Sequence, residues 1–369
     1  MVIFIIVRGR MVHNQQHHRY SIKGWLIRGG KALALLLGLL LLEVGVWALV
    51  PPSKRAISGE HAIAEIQSIQ LGGFQQTVLL RGNDRRDPVL LYVHGGPGAA
   101  QLPIARKYSD KLEQHFVVVH WDQRGAGASC AGVDWNSLSL DQIVNDTIEL
   151  AEKLGQGKKI FLIGHSWGSL VGVMAVQRRP DLFYAYVGTG QLVHRDRQEQ
   201  ISYDWVVAQA RQAGDMEALN ELATIHPPYS TQKEFALDGH WLNKYHGDVF
   251  AVERERELQP AVIFGREYSL ATRLRYQGCF DESRERLLQD RLHIDLLAQI
   301  HQFQVPVFFF NGRHDNNTPT SLVEEWAAQL EAPHVEIVWF ENAGHSLAIE
   351  APEEFTARQI EKLLPLVHD

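Results

Sequence analysis

The sequence predicts an α/β fold with a mainly parallel sheet flanked by helices and interrupted by a helical insertion. Short, nearly all-apolar runs such as PVLLYV at 88–93 and FVVVHW at 116–121 are typical of strands buried on both faces. Strands and helices alternate at short intervals, which favours parallel pairing. The alternation stops at about 193 and resumes at about 304. We therefore expect one α/β core built from two chain segments.

The predicted elements follow each other in the order that such a core requires. Residues 64–82 alternate between apolar and polar side chains around Gly72 and Gly73, which predicts two antiparallel strands. Helical spacing over 140–155 ends at a glycine. Beyond it the pattern predicts a strand at 160–163, a helix at 167–178, strands at 183–188 and 305–310, a helix near 320–330, a strand at 335–340 and a helix near 352–364.

These elements divide the chain into a basic N-terminal segment (1–31), an apolar segment (32–50), a core (60–192 and 304–369) and a helical insertion (193–303). The insertion follows the sixth predicted strand and is rich in aromatic residues. Its position in the strand order favours a cap over the edge of the sheet, although packing inside the insertion explains many of its rings equally well.

Composition excludes several classes of protein. The 369 residues are 45% hydrophobic and 21% charged, as in an ordinary globular protein. Beyond residue 50 the chain has 30 basic and 42 acidic residues, a net charge of −12, so we expect no nucleic-acid partner. Cys130 and Cys279 allow one disulfide, but the sequence does not show whether they pair. No cluster has the spacing of metal ligands, so no metal site is expected.

Residues 32–50 are predicted to be a transmembrane anchor or a signal segment. Nineteen helical residues would span roughly 28 Å, about the thickness of a hydrocarbon core. Six basic residues precede the segment and only Lys54 and Arg55 closely follow it, which favours a cytoplasmic N-terminus and an exported body. The long leader favours an uncleaved anchor. Cleavage near Val46-Trp47-Ala48, giving a secreted or periplasmic protein, is the alternative, and a buried core helix is a third.

The motif GHSWG at 164–168 points to a nucleophile. It follows an apolar strand and opens a helix, so Ser166 is expected on a sharp strand-to-helix turn with its hydroxyl above the strand ends. Gly164 and Gly168 allow the strand and the helix to pass closely. The N-terminus of the helix favours developing negative charge beside the serine.

A serine hydroxyl needs a base and an acid that orients the base. In this arrangement both follow the nucleophile, each just beyond a late strand. Asp315 follows the strand at 305–310, and His345 follows the strand at 335–340. Glu341 is the nearest rival for the acid and His314 for the base. We expect Ser166, His345 and Asp315 to meet at one edge of the sheet.

The oxyanion of an acyl-transfer reaction needs two backbone N–H donors. Trp167, directly after the nucleophile, supplies one candidate. The loop HGGPG at 94–98 supplies the other: Pro97 has no N–H, so Gly96 is the expected donor. His94 and Gly95, in the same loop, are candidates for binding the substrate.

These motifs resemble those of the α/β-hydrolase superfamily and, within it, the proline iminopeptidase family. The resemblance extends over roughly residues 60–366 and rests on HGGPG, on WDQRGAGAS at 121–129, on GHSWGS at 164–169, on the loop of Asp315 and on GHS at 344–346. It implies a serine exopeptidase or amidase that forms an acyl-enzyme on a small molecule or short peptide and needs no cofactor. The WDQRG stretch is expected to brace the site.

The insertion departs from the family pattern. Family members that remove N-terminal proline hold the substrate ammonium with cap glutamates, whereas ATRLRYQG at 271–278 has Arg275 where one would fall. A cation repels an ammonium, although Glu253, Glu255 or Glu267 could substitute for the missing glutamate. Arg275 is thus a tentative substrate-binding residue. An esterase or lactonase acting on small apolar esters, and a non-catalytic binding protein on the same scaffold, stay open, as does the oligomeric state.

Overall fold

The computed structural model describes residues 29–31, 33–39, 42, 45, 56–253 and 265–367. The chain divides into two units, Met1–Val50 and Pro51–Asp369. The labelled elements below belong to the second unit.

In the first unit, the described residues between 29 and 45 are helical and exposed. No helix within the described part of the chain is long and apolar enough to cross a membrane. Much of the predicted anchor, including Glu43 and Val46-Trp47-Ala48, lies outside the described residues, as does the basic segment up to residue 28.

The second unit is built on an eight-stranded sheet in the order β1-β2-β4-β3-β5-β6-β7-β8. The first two strands form a hairpin, β2 pairs with β4 in antiparallel fashion, and the other pairings are parallel. The predicted mainly parallel sheet is therefore confirmed. The strands are β1 Ile63–Leu71, β2 Phe74–Gly82, β3 Val89–Val93, β4 Val117–Trp121, β5 Ile160–His165, β6 Phe183–Thr189, β7 Val307–Gly312 and β8 Val335–Phe340.

Helices cover the sheet and fill the insertion. Two helices of the core have no counterpart among the sequence predictions: the helix after β3 and the short helix Leu347–Glu350 after β8. The helices are α1 Leu102–Ser109, α2 Leu140–Gly155, α3 Trp167–Arg178, α4 Arg195–Ala213, α5 Met216–Leu222, α6 Gln232–Lys244, α7 Leu270–Arg286, α8 Leu288–Arg291, α9 Leu296–Gln299, α10 Thr320–Ala327, α11 Leu347–Glu350 and α12 Pro352–Leu363. Short 3-10 turns lie at Leu112–Gln114, Gly127–Cys130, Trp135–Ser137, Pro180–Leu182 and Leu364–Val367.

The central strands are apolar throughout because each contributes to two cores. Successive residues of a strand point to opposite faces of the sheet. Leu90 and Leu91 are both fully buried, yet Leu91 belongs to one apolar cluster and Leu90 to the other. A strand with helices on both of its faces therefore needs apolar residues at consecutive positions.

Helices α4 to α9 lie between β6 and β7 and form the cap. The first three of them enclose a small apolar core of their own, which contains Tyr229 and Trp241, so these aromatic residues serve packing inside the cap. Cys130, in the turn after β4, forms a disulfide with Cys279 of α7. This bond settles the pairing that the sequence left open and ties a loop of the core to a helix of the cap.

Candidate active site

Ser166 lies on the sharp turn between β5 and α3. Its backbone angles, φ 52° and ψ −121°, belong to a region that non-glycine residues rarely occupy. A Cβ on Gly164 would lie 2.4 Å from the carbonyl oxygen of Gly168, and a Cβ on Gly168 would lie 2.0 Å from that of Val93. Both positions therefore exclude side chains, which explains the glycine spacing of the motif.

Asp315 and His345 meet on loops that follow β7 and β8. Oδ2 of Asp315 lies 2.9 Å from Nδ1 of His345 and accepts a hydrogen bond from the hydroxyl of Thr318 at 2.6 Å. Oδ1 accepts the amide N–H groups of Asn317 and Thr318 at 2.9 and 2.7 Å. Because the loop itself supplies three donors, it fixes the orientation of the carboxylate before any substrate binds.

The pKa of His345 is raised to about 9 by its surroundings. Burial by itself favours the neutral imidazole, but the charge and hydrogen bond of Asp315, together with the charges of Asp248 and Glu350, outweigh it. These charges favour the protonated imidazole in the free protein, and the imidazole gains the capacity to accept a proton as the pH rises.

Ser166 and His345 lie at the same edge of the sheet. The ring of His165, which adjoins Ser166 in the chain, lies 4.8 Å from the ring of His345, centroid to centroid. Among the described residues, the hydroxyl of Ser166 makes no hydrogen bond with the imidazole of His345. Hydrogen bonds of this kind are often long in ligand-free sites and tighten only when the substrate binds.

The two candidate oxyanion donors border the same cavity as Ser166. Gly96 and Trp167 both line this cavity, whose volume is about 420 Å³. Trp167 is the first residue of α3, where backbone N–H groups have no partner within the helix. Gln123 connects the two loops: its amide donates to the carbonyl of His94 at 2.8 Å and accepts from the indole of Trp167 at 3.3 Å. The WDQRG stretch thus braces the site.

The residues predicted to bind substrate do not line the cavity. His94 is buried, and its Nε2 accepts the amide N–H of Gln123 at 3.2 Å. Gly95 packs against Ser166, where a Cβ would lie 3.0 Å from the serine Cβ. Arg275 lies on the exposed face of α7.

The rival residues lie elsewhere. His314 stacks on Phe250 with a centroid separation of 3.8 Å, and Glu341 pairs with Arg313 at the surface. Of the alternative cap glutamates, Glu253 is exposed and Glu267 is buried outside the cavity lining, whereas Glu255 lies outside the described residues.

Sequence reasoning missed two acidic side chains in the cap wall of the cavity, Glu199 of α4 and Asp238 of α6. Both are buried, and burial raises the pKa of Glu199 to about 7 and that of Asp238 to about 6, the latter against the opposing effect of the Tyr229 hydroxyl. Glu199 accepts the amide N–H of Tyr229 at 2.6 Å and approaches Arg195 within 2.7 Å. The Tyr229 hydroxyl is near enough to Asp238 to affect its pKa, but Asp238 Oδ1 is buried and makes no hydrogen bond of good geometry with any described residue.

Thr318 and Glu350 were also missed. Thr318 contacts both Asp315 and His345, the latter at 3.1 Å from hydroxyl to Nδ1. Glu350 accepts the amide N–H groups on either side of His345, those of Gly344 and Ser346, both at 2.9 Å. The sequence signal for Glu350 is its place at the end of the short helix that follows the GHS motif.

Fold and site together define the class. A mostly parallel eight-stranded sheet with a serine on the strand-to-helix turn, and a buried His-Asp pair beyond the last two strands, is the architecture of α/β hydrolases. Residues 90–358 match the model of the alpha/beta hydrolase family. The chain belongs to this family of hydrolases and, within it, is proline iminopeptidase-like.

Individual relatives support this placement. The chain is 30% identical over 309 residues to a probable aminopeptidase of Bacillus subtilis strain 168, an alignment that covers 81% of this chain and 96% of the relative. It is 24% identical to a probable proline iminopeptidase of Leptolyngbya boryana, in an alignment that covers 75% of this chain and 89% of the relative. Among solved structures, a proline iminopeptidase-related protein of Thermus thermophilus superposes with a TM-score of 0.57 at 22% identity, covering 82% and 99%.

Proposed function

We propose that the protein is a serine hydrolase that cleaves short peptides or amides from their N-terminal end. The observation that carries this proposal is the hydrogen bond between buried Asp315 and His345, at the same sheet edge as the strained turn of Ser166. A strained nucleophile at the same sheet edge as a carboxylate-oriented imidazole supports a site for acyl transfer.

The proposed mechanism uses this chain's own side chains. Ser166 Oγ attacks the acyl carbon while Nε2 of His345 takes its proton, and Asp315 stabilises the resulting imidazolium through Nδ1. The amides of Gly96 and Trp167 hold the oxyanion. His345 then gives the proton to the leaving amine. In the second step the same imidazole takes a proton from water, whose oxygen attacks the acyl carbon; the bond to Ser166 Oγ breaks, and the imidazolium returns the proton to that oxygen.

The preference for an N-terminal amine rests on the cap wall. Asp238 provides a buried carboxylate oxygen without a hydrogen-bond partner among the described residues, in the same cavity as Ser166. An ammonium would satisfy this oxygen through a charge-assisted hydrogen bond. The similarity to a probable aminopeptidase and to a probable proline iminopeptidase supports the same chemistry.

A substrate panel tests the proposal. Proline anilide and its N-acetylated form are compared with nitrophenyl esters of small apolar acids. We expect the free-amine anilide to be hydrolysed and the acetylated one to be poor, because acetylation removes the ammonium. Hydrolysis of the esters alone would assign an esterase or lactonase instead. Failure of a fluorophosphonate probe to label the protein would favour a binding protein.

For location, we propose a catalytic unit outside the cytoplasm, either anchored through residues 32–50 or released by cleavage of that segment. The charge asymmetry around the segment and the Cys130–Cys279 disulfide support this, since disulfides persist in oxidising compartments. Cell fractionation with thiol alkylation tests it. A cytosolic protein with two free thiols would contradict the proposal.

A further inference from the structure

The cap wall of the cavity also carries basic side chains. Arg284 of α7 and Arg291 of α8 line the same cavity as Ser166. Arg195 and Arg291 both pack on the ring of Phe235. Their guanidinium carbons lie 5.4 Å (Arg195) and 4.4 Å (Arg291) from the ring centroid. Two guanidinium groups thus line the cavity, and a third packs on the same ring as one of them.

The neighbouring carboxylates do not neutralise all three. Glu199 is engaged by Arg195, which approaches it within 2.7 Å and also donates to the carbonyl of Tyr229. Asp238 forms no ion pair with an arginine among the described residues. The third carboxylate of the lining, Asp248, accepts a hydrogen bond from Asn317 at 2.9 Å and contributes to the charge around His345.

Arg291 is the least satisfied of the three arginines. Its Nη1 is buried and has no hydrogen-bond partner among the described residues. Burial, together with the charges of Arg284 and Arg195, lowers its pKa to about 10 against the opposing effect of Glu199. Arg284 is half-buried. Its Nη2 donates a hydrogen bond to the side-chain amide oxygen of Gln232 at 2.7 Å when that amide is oriented with its oxygen toward the arginine.

A buried cation with an unmet donor is unfavourable unless an anion completes it. Guanidinium groups match the two oxygens of a carboxylate, and two guanidinium groups side by side give such an anion several charge-assisted hydrogen bonds. The cavity volume of about 420 Å³ lies within the range of small-molecule sites.

We propose that Arg284 and Arg291 form a carboxylate-binding subsite in the Ser166 cavity, so that the enzyme selects small substrates with a free carboxylate, such as the C-terminus of a dipeptide or tripeptide. This inference rests on the proposed hydrolase function. With Asp238 on the same wall, the cavity offers a partner to each end of a short zwitterionic peptide.

The competing explanation is that the arginines only support packing in the cap, Arg291 on the ring of Phe235 and Arg284 on that of Phe280. Matched substrates separate a binding role from a packing role. Loss of packing weakens the turnover of every substrate equally, whereas loss of a carboxylate-binding group weakens only the turnover of the carboxylate substrate.

The assay measures kcat/KM for prolyl dipeptides and for the same dipeptides with a C-terminal carboxamide. The variants are Arg284→Gln and Arg291→Gln. The control is Arg286→Gln, an exposed arginine of the same helix as Arg284, paired with Glu282 at the surface.

We expect the wild type to prefer the free carboxylate. Each cavity variant should lower kcat/KM for the carboxylate substrate by about tenfold or more and leave the carboxamide nearly unchanged, as expected for a hydrogen bond to a charged group. Arg286→Gln should alter neither value. Equal losses on both substrates, or no preference in the wild type, would overturn the subsite.

Two further measurements keep the outcomes distinct. If Arg291→Gln shows no cooperative thermal transition, Arg284→Gln carries the test. If no peptide is cleaved, the peptidase proposal fails, and nitrophenyl esters whose acyl chains end in a carboxylate or a carboxamide then probe the same subsite. If the arginine variants lose the preference for carboxylate-ended esters, the result supports the subsite. If the wild type shows no such preference, the subsite is overturned.

Discussion

The core side and the cap side of the candidate active site are held in opposite ways. On the core side, Asp315 accepts three hydrogen bonds from its own loop and contacts His345, and Ser166 lies in a turn that two glycines make possible. On the cap side, Asp238 Oδ1 and Arg291 Nη1 are buried without hydrogen-bond partners among the described residues. The Asp315 carboxylate and the backbone of Ser166 are therefore fixed by the core itself, whereas the cap wall presents charged groups with buried, unpartnered atoms.

The largest effect on activity should come from replacing the candidate catalytic side chains on the core side. We expect Ser166→Ala to lower kcat roughly 10⁵- to 10⁶-fold on every substrate, because the covalent route is lost. His345→Ala should cost about as much, and the double variant should be no worse than either, since the proposed mechanism uses the two residues as a unit. Additive losses, measured by kcat with circular dichroism as the folding control, would mean that they do not act together.

The next largest effect should come from replacing Asp315, the proposed acid. We expect Asp315→Asn to lower kcat about 10⁴-fold, because the imidazole loses the partner that orients it. Removing the negative charge also lowers the pKa of His345 from its value of about 9. The rising limb of kcat/KM against pH should therefore lie near 9 in the wild type and move to lower pH in the variant. An unchanged limb would exclude His345 as the titrating base.

The same pair affects stability. The folded-state pKa of His345, about 9, lies above the unfolded value of about 6.5. Its contribution to the free energy of unfolding is thus fully present below about pH 6.5 and is lost as the pH rises through about 9. The Tm difference between wild type and Asp315→Asn should shrink over this interval in thermal melts.

On the cap side we expect smaller, substrate-dependent effects. Asp238→Asn should lower kcat/KM for proline anilide about 10- to 100-fold, the value of a hydrogen bond to a charged group, while ester hydrolysis is nearly unchanged. Asp204→Asn, which changes an exposed carboxylate on α4, is the matched control. Equal losses on anilide and ester would indicate that Asp238 supports the cap and does not select an amine.

The smallest effect on catalysis should come from removing the Cys130–Cys279 disulfide, which joins the core to the cap. Replacing Cys279 with serine removes the link between the turn after β4 and α7, and should lower the free energy of unfolding by about 2–4 kcal/mol. Urea titration measures this. Fluorophosphonate labelling of Ser166 should persist, because no group of the catalytic loops is changed. Unaltered stability would mean that the bond does not constrain the unfolded chain.

The same contrast explains what the sequence could predict. The strands, the turn of Ser166 and the loops of Asp315 and His345 follow from apolar runs and glycine spacing, because the backbone imposes them. Glu199 and Asp238 carry no such signal: charged residues on helices usually face solvent, and only the packing of α4 against α6 buries these two. Arg275, which was expected near the substrate, lies on the exposed face of α7 for the same reason, since helix orientation in the cap is set by tertiary contacts.

The most direct test of the central claim is covalent labelling with a fluorophosphonate, followed by peptide mass mapping. We predict one adduct per wild-type chain, located on Ser166, none on Ser166→Ala, and greatly slowed labelling of folded His345→Ala. Absence of the adduct in the wild type, or equal labelling of Ser166→Ala, would contradict the assignment of Ser166 as the nucleophile.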